Sequence, residues 1–321
     1  MEINDKLIKQ ILDSKNVAIF IHIRPDGDCL GAGTAFKQVL EQLGKQADIY
    51  CDGIVNENYK FIKYSDTIND AKLKDYDTAI AVDCSDLTRL GKYASLFSSI
   101  PYSINIDHHK TNTNFATHNL VVSERASACE ILYELFKIMH IKFDADIAQS
   151  LYSGIATDTG GFLHSNVTAI THIIAGDLIN YKFDVANANY NLLKHRTFGQ
   201  VQLQKIALDN MKMFFAGKLC ITYLTKNDFV STKCNSTETF GIVDICVNIS
   251  GVEIGAIVSQ DKPNICAVSL RSKGNLDVAK VAEYFGGGGH RNAAGCNIFG
   301  SAKSVTHKLA KAVSEVYAGI Y

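Results

Sequence analysis

The sequence predicts an α/β protein: a parallel-sheet domain with flanking helices, followed through a helical connector by a smaller α/β domain. Three observations carry that expectation. Strand-like and helix-like segments alternate through the first half, the pattern of a parallel sheet with helices on both faces. From about Val185 to Met213 no strand signal remains and the segment looks helical. Beyond it the strands become rich in β-branched residues, and 321 residues are enough for two domains. The boundaries read from this pattern are 1–185, a connector at 186–213, and 214–321.

Taken in order, the N-terminal MEINDKLIKQIL reads as a charged amphipathic helix rather than a secretory leader, since no uninterrupted apolar segment follows a basic start. Val17–Ile23 is a strand, far short of the roughly 20 apolar residues that span a bilayer. Gly31–Leu43 has helical spacing and is closed by Gly44. Ala47–Cys51, Thr78–Val82 and Tyr102–Ile106 are further strands; Ala126–Met139, Ala145–Ala156 and Ala169–Asn180 are helices. In the second region Leu219–Leu224, Val252–Ser259 and Ile265–Arg271 are strands, with helices at Asp277–Phe285 and Lys303–Tyr317. The glycine run Gly286–Gly289 is too local to be a linker.

A hydrophobic content of 47% with 20% charged residues describes an ordinary globular chain, expected in the cytoplasm and away from membranes. Its net charge of −1 disfavours a protein that tracks long nucleic acid, which needs a basic stripe. The charge is slightly uneven: residues 216–321 carry 11 Lys+Arg against 8 Asp+Glu, the remainder 21 against 25. That direction suits an acidic, metal-binding half and a mildly basic half that receives anions. None of the nine cysteines sits at C-x-x-C spacing and most fall in apolar stretches, so buried reduced thiols are expected rather than zinc or disulfide chemistry.

The chemistry lies where the first-half strands end. One strand runs into His22-Ile-Arg-Pro-Asp26-Gly-Asp28, the next into Asp83, and a third into Asp107-His108-His109. Gly154-Ile-Ala-Thr-Asp158 puts a further carboxylate at the end of a helical stretch. In open parallel sheets ligands bind at the carboxyl ends of strands, so these loops should converge on one crevice. That many carboxylates packed together raise one another's pKa unless cations neutralise them. Mixed oxygen and imidazole donors suit manganese better than a thiolate site would suit zinc, and no cysteine stands at an obvious ligand position. Two divalent ions in one site would polarise a phosphoryl oxygen, generate a nucleophile and steady the leaving oxygen. Any one of these aspartates could be only a turn or capping residue, Asp28 for the helix beginning near Cys29 among them. The constellation, not a single member, points to a two-metal site.

In the second region Gly286-Gly287-Gly288-Gly289-His290-Arg291 combines glycines, whose backbone N–H groups can approach an anion closely, with two cationic side chains. Arg271, at the end of a strand, offers a guanidinium for bidentate phosphate binding. Ser127 and Glu130 are read as first-turn and capping residues, and no partner is assigned to His164, His172 or His195.

These motifs resemble the DHH phosphoesterase superfamily over nearly the whole chain. His22-x-x-x-Asp26-x-Asp28 is similar to its first motif, Asp83 to its second, Asp107-His108-His109 to its third and Asp158-Thr-Gly-Gly-Phe162 to its fourth. The resemblance implies one ion at His22, Asp26 and Asp83, and a second at Asp28, Asp83, His108 and Asp158, with Asp83 bridging. It leaves His109 to face the phosphate and Asp107 to orient its neighbours, which with Asp83 form the expected catalytic set. Gly31-Ala32-Gly33 stands where the family often has Gly-Ser, a departure that touches no ligand. GGGGHRNAAG with SLRSKG upstream resembles the DHH-associated C-terminal domain, which implies nucleotide binding by Arg271, Gly287, Gly288, Gly289, His290 and Arg291.

The pairing of both domains in a short chain is most similar to the branch of stand-alone nano-RNases and 3′-phosphoadenosine-5′-phosphate phosphatases. It implies manganese-dependent hydrolysis of short RNA, of pApA or of 3′-phosphoadenosine 5′-phosphate, and allows a homodimer. Cyclic di-AMP hydrolysis with the same centre is an alternative reading. An inorganic pyrophosphatase is disfavoured by the glycine-histidine segment, and a non-cutting nucleotide sensor by the complete ligand set.

Overall fold

Ala18, Ile19, Phe20 and Ile21 are all apolar, and a strand with no polar face must be covered on both sides. In the computed structural model, which describes residues 5–71, 73, 75–239 and 241–317, that strand is β1 (Asn16–Phe20), an interior strand of a parallel sheet. The first unit, Met1–His195, contains α1 (Asp5–Asp13), β1, α2 (Gly27–Gln42), β2 (Gln46–Tyr50), β3 (Thr78–Val82), α3 (Ala94–Ser99), β4 (Tyr102–Asp107) and β5 (His118–Val121). It continues through α4 (Ala128–Ile138), α5 (Ala145–Asp158), α6 (Ala169–Ile179) and α7 (Val185–Asn189). Strand order is β2-β1-β3-β4-β5, every pair parallel. Residues alternate between two cores: Val17, Ile19 and Ile21 face the one built with α2, α4 and α5, while Ala18 and Phe20 join Tyr50, Leu90 and Phe97 on the other.

This order has a consequence for binding. The chain leaves β1 in one direction to β2, then returns across β1 to β3, so the crossovers diverge between β1 and β3. Such a switch point opens a crevice at the strands' carboxyl ends.

The second unit, Arg196–Tyr321, contains α8 (Phe198–Asp209), β6 (Lys212–Phe214), β7 (Leu219–Leu224), α9 (Lys226–Thr232), α10 (Ile242–Asn248), β8 (Ile254–Lys262) and β9 (Ile265–Ser272). It ends with α11 (Val278–Glu283), β10 (Gly288–His290), β11 (Ala293–Phe299) and α12 (Ala302–Val316). Its sheet is mixed, in the order β10-β11-β9-β8-β7-β6, with β7 and β8 parallel and the other pairs antiparallel. The stretch 186–213, read from sequence as a connector, is divided between the units. α7 is counted in the first, whereas Leu203 and Ala207 of α8 are buried against Leu224, Phe229 and Ile257 of the second. Lys212–Phe214 is also a strand rather than helix, because it pairs with β7.

Candidate metal centre

Each motif residue is delivered by a different piece of the first unit. After β1 the chain stays extended, since Ile21 N–H donates to Tyr50 O (3.0 Å) and Ile23 N–H to Arg89 O (2.9 Å), which sets His22 at the strand end. Asp26 is the N-cap of α2: its Oδ1 accepts from the N–H groups of Asp28 (3.1 Å) and Cys29 (3.2 Å). The capping role open to Asp28 on sequence alone therefore belongs to Asp26. The Asp28 carboxylate instead accepts from Ala128 N–H (Oδ2, 2.6 Å) and Cys129 N–H (Oδ1, 3.0 Å) at the N-terminus of α4. Two buried N–H groups of a helix end, without partners inside the helix, thus fix a carboxylate a hundred residues away. Ser127 is the N-cap of α4, accepting from Glu130 N–H, as its sequence position implies.

Asp83 follows β3 with φ +56°, the left-handed region that costs a non-glycine residue roughly 1 kcal/mol or more. Its N–H is still paired, to Ile106 O at 2.9 Å. The turn directs the carboxylate into the β1–β3 crevice, where its two oxygens meet different imidazoles. Oδ2 is 3.3 Å from His22 Nε2, and Oδ1 is 3.5 Å from His108 Nε2. His22 Nε2 is also 3.5 Å from Asp26 Oδ2, and His108 Nε2 is 3.2 Å from Asp158 Oδ2 and 3.9 Å from Asp28 Oδ2.

All six residues expected as ligands thus stand within two adjoining groups, His22/Asp26/Asp83 and Asp28/Asp83/His108/Asp158. His109 and Asp107 lie beside them: His109 Nδ1 is 2.7 Å from Asp107 Oδ1 and 3.6 Å from Asp83 Oδ1. One neighbour was not anticipated. Cys29 Sγ joins the His22 group, but burial holds its thiol far above the ordinary range, and it hydrogen-bonds Asp26 O at 3.5 Å. It is a neutral packing group. Tyr59 is a second, its phenol buried beside Asp26 and Asp158 and bonded to the Gly27 backbone.

The electrostatics follow from this crowding. Burial, then the Asp83 charge, pushes Asp28 up to about 7, and burial with Asp28, Asp26 and Asp83 holds Asp158 well above the usual carboxylate range. Burial alone would lower His108, but Asp83, Asp158 and Asp28 hold it at about 11. Asp83 goes the opposite way: burial opposes its charge, yet His108 and His22 keep it below the usual range. The cluster thus favours bound positive charge. A divalent ion fits the same role: the donors are carboxylate oxygens and imidazole nitrogens, and the buried Asp83 Oδ1 has no hydrogen-bond partner.

In the second unit, Arg271 sits near the end of β9, its guanidinium 3.9 Å from Asp244 on α10 and bonded to Leu270 O at 3.0 Å. The glycine run is not a free loop. It becomes the edge strand β10, whose register aligns position 290 with Ala293, and Ala293 with Arg271, in one row across three strands. Gly287 must be glycine because a Cβ there would strike Gly295 O, and Gly289 because its φ is +148° and a Cβ would meet Ala293. Gly288 is open. Arg291 is tied to Asn275 O at 2.6 Å, and the His290 side chain lies outside what is described. Of the histidines left unassigned, His164 contacts Asp158 O (3.3 Å), His172 stacks on Phe162 and His195 bonds Asn58 (2.9 Å). No helix among the described residues is long and apolar enough to cross a membrane.

Comparison with known proteins gives this arrangement a context. A family model described as the DHH family, N-terminal domain, matches residues 16–155, and one described as the DHHA1 domain matches residues 217–318. The bifunctional oligoribonuclease and PAP phosphatase NrnA of Thermus thermophilus is 27% identical over 302 residues, covering 92% of this chain and 88% of the relative. The protein of the same name from Mycoplasma genitalium is 27% identical over 314 residues, 96% of each chain. A solved exopolyphosphatase-related protein from Bacteroides fragilis has the same fold, with a TM-score of 0.89 at 22% identity over 97% of this chain and 96% of that one.

Proposed function

The chain belongs to the DHH family, pairing its N-terminal domain with a DHHA1 domain, and from that premise we propose a divalent-metal phosphoesterase acting on very short nucleotides. Its substrates are oligoribonucleotides of a few residues, pApA among them, cut to mononucleotides, and 3′-phosphoadenosine 5′-phosphate, converted to AMP. The relatives named oligoribonuclease and PAP phosphatase support that choice, matching over nearly their whole length. The observation that carries the reading is Asp83, whose two oxygens face His22 and His108 separately, the placement of a carboxylate shared by two cations.

Two ions, manganese by the donor set, would be held by His22, Asp26 and Asp83 and by Asp28, Asp83, His108 and Asp158. When bound they supply Lewis-acid charge for the phosphoryl oxygens and a nucleophile near neutral pH. The chain's own groups do the rest. The N-terminus of α4 keeps Asp28 aimed into the crevice. Asp107 accepts from His109 Nδ1–H and leaves Nε2 to face a phosphoryl oxygen, to which the protonated ring donates as charge grows there. Arg271 and the backbone of Gly287–Gly289, with His290 and Arg291, grip the nucleotide; the Arg271–Asp244 contact is long and exposed, so a phosphate can take Asp244's place. A nucleotide substrate and nine unpaired cysteines both suit the cytoplasm.

The test is purified protein with manganese, offered pApA, cyclic di-AMP, 3′-phosphoadenosine 5′-phosphate, a short RNA series and pyrophosphate. Cleavage of pApA, of the shortest RNAs or of 3′-phosphoadenosine 5′-phosphate, lost on chelation, is the expected result. Hydrolysis of pyrophosphate alone, or binding without cleavage, would overturn the reading.

A further inference from the structure

Behind the Asp107–His109 pair lies a set of amides that the metal groups do not use. After His109 the chain makes a tight turn, with Asn112 N–H donating to His109 O at 3.1 Å, and Thr113 N–H is pinned to Ser85 O at 2.9 Å. The turn folds the Asn112 side chain back onto Asp107. Asn112 Nδ2 lies 2.6 Å from Asp107 Oδ2, 2.8 Å from Asn105 Oδ1 and 3.1 Å from Cys84 O. Its Oδ1 accepts from Asn114 N–H at 2.7 Å.

This pattern fixes which end of the amide is which. Turned over, Asn112 would set its oxygen against three other oxygens and its NH2 against an N–H, so it must be the donor to Asp107. Asn105, fully buried on β4, is fixed in turn: its Nδ2 donates to Cys84 O at 3.1 Å, leaving Oδ1 to accept from Asn112. With Oδ2 of Asp107 engaged by Asn112, Oδ1 faces His109 Nδ1 at 2.7 Å. A carboxylate held at one oxygen only could rotate or recruit a second partner. Held at both, it accepts from one ring nitrogen in one orientation.

We propose that Asn112 is a positioning residue: supported by Asn105, it locks Asp107 so that His109 keeps a proton on Nδ1 and its ring presents Nε2 to the substrate. The hydrogen-bond order rests on geometry alone, whereas the catalytic consequence rests on the phosphoesterase reading above.

Two variants separate this from a folding role. Asn112→Ala removes the donor. Asn112→Asp keeps an oxygen for the Asn114 N–H but removes the donations to Asp107, Asn105 and Cys84 and sets a second carboxylate against Asp107. In the full-length chain labelled with 15N-histidine, with chelator and again with magnesium, the Nδ1–H resonance of His109 is assigned by its disappearance in His109→Gln. It is expected in the parent and lost to solvent exchange in both Asn112 variants, with circular dichroism unchanged. A His109 resonance that is absent from the parent, or that persists unshifted in both variants, overturns the proposal. Kinetics supply the second arm. On a dinucleotide Asn112→Ala should lower kcat about 10- to 100-fold with KM within about threefold, and the loss should shrink below about threefold in a His109→Gln background. An equal loss in both backgrounds marks Asn112 as merely structural. If the parent cuts no nucleotide at all, the phosphoesterase reading fails, and the resonance arm still decides the positioning role.

Discussion

Asp83 shows how one residue can carry a site. It is buried, holds a left-handed backbone, and meets a different imidazole with each oxygen. Asp83→Ala should therefore remove more than any other single change, leaving less than about a hundredth of parental turnover on pApA while circular dichroism reports an intact fold. Greater residual turnover would refute the shared-carboxylate assignment. The same crowding sets a pH dependence. Asp28, raised to about 7, keeps its proton after the unfolded chain has lost the equivalent one near pH 4, so the metal-free fold weakens as pH rises between those values. His108, raised to about 11, stabilises fully below about pH 6.5 and loses that contribution as pH climbs toward 11. A divalent ion displaces these protons, so its stabilising effect should grow with pH. Melting temperatures with manganese and with chelator should diverge between about pH 6 and about pH 8.5, and a gap that stays constant or narrows would refute the account. The candidate ligands were legible because each stands at a terminus of a recognisable strand or helix. The α4 amides that hold Asp28 and the Asn112 donor were not, since a hydrogen bond across a hundred residues or back over a turn leaves no periodic trace.

At the scale of elements, the crevice depends on how closely α2 and α5 cross. A Cβ at Gly31 would run into the carbonyl of Ser150, and one at Gly154 would strike Cys129 Sγ and sit 2.6 Å from Asp28 Oδ1. Intrinsic propensity favours alanine over glycine inside a helix by about 1 kcal/mol, but overpacking a core costs roughly 1–3 kcal/mol. Packing should win: Gly154→Ala should lower unfolding free energy by roughly that amount in a urea melt and weaken metal binding by displacing Asp28. Gly176 in α6 is the control, exposed with nothing within 4 Å of the new methyl, and Gly176→Ala should stabilise by about 0.5–1 kcal/mol without changing activity. A loss of stability there, or none at Gly154, would mean the crossing is looser than drawn. The strands with strong apolar runs were legible, β3 and β7 to the residue. β5, β6, β10 and β11 were not. β5, β6 and β10 are edge strands of three or four residues, and β11 alternates small and half-exposed residues, so partners rather than propensity make them strands.

At the scale of the whole molecule, chemistry and grip are assigned to different units, and their mutations should differ in kind. Arg271→Ala should cost roughly 2–4 kcal/mol in kcat/KM on a dinucleotide, because binding energy and phosphate alignment are lost together. It should matter much less on bis-p-nitrophenyl phosphate, which offers no ribose or base to hold, whereas Asp83→Ala should abolish both reactions. Equal damage to both substrates by Arg271→Ala would remove the division of labour. With one gripped end, rates should fall as RNA is lengthened beyond about five nucleotides and salt should weaken binding only slightly, since few phosphates are contacted. Faster cutting of a thirty-nucleotide strand than of a dinucleotide would contradict that.

By itself the sequence determined the parallel α/β plan of the first half, the change of pattern in the second, and the identity of the six candidate ligands. Apolar runs and strand-end carboxylates are local signals, written in consecutive residues. The tertiary structure decided what is not local: that the strands order as β2-β1-β3-β4-β5, so that His22 and Asp83 end on neighbouring strands. It also decided that Asp26 rather than Asp28 caps α2, that Cys29 enters the site as a neutral thiol, and that the glycine run becomes an edge strand in register with Arg271. Each of these depends on which distant segment packs alongside, because hydrogen-bond partners, burial and the resulting charge state are fixed only when the chain has folded.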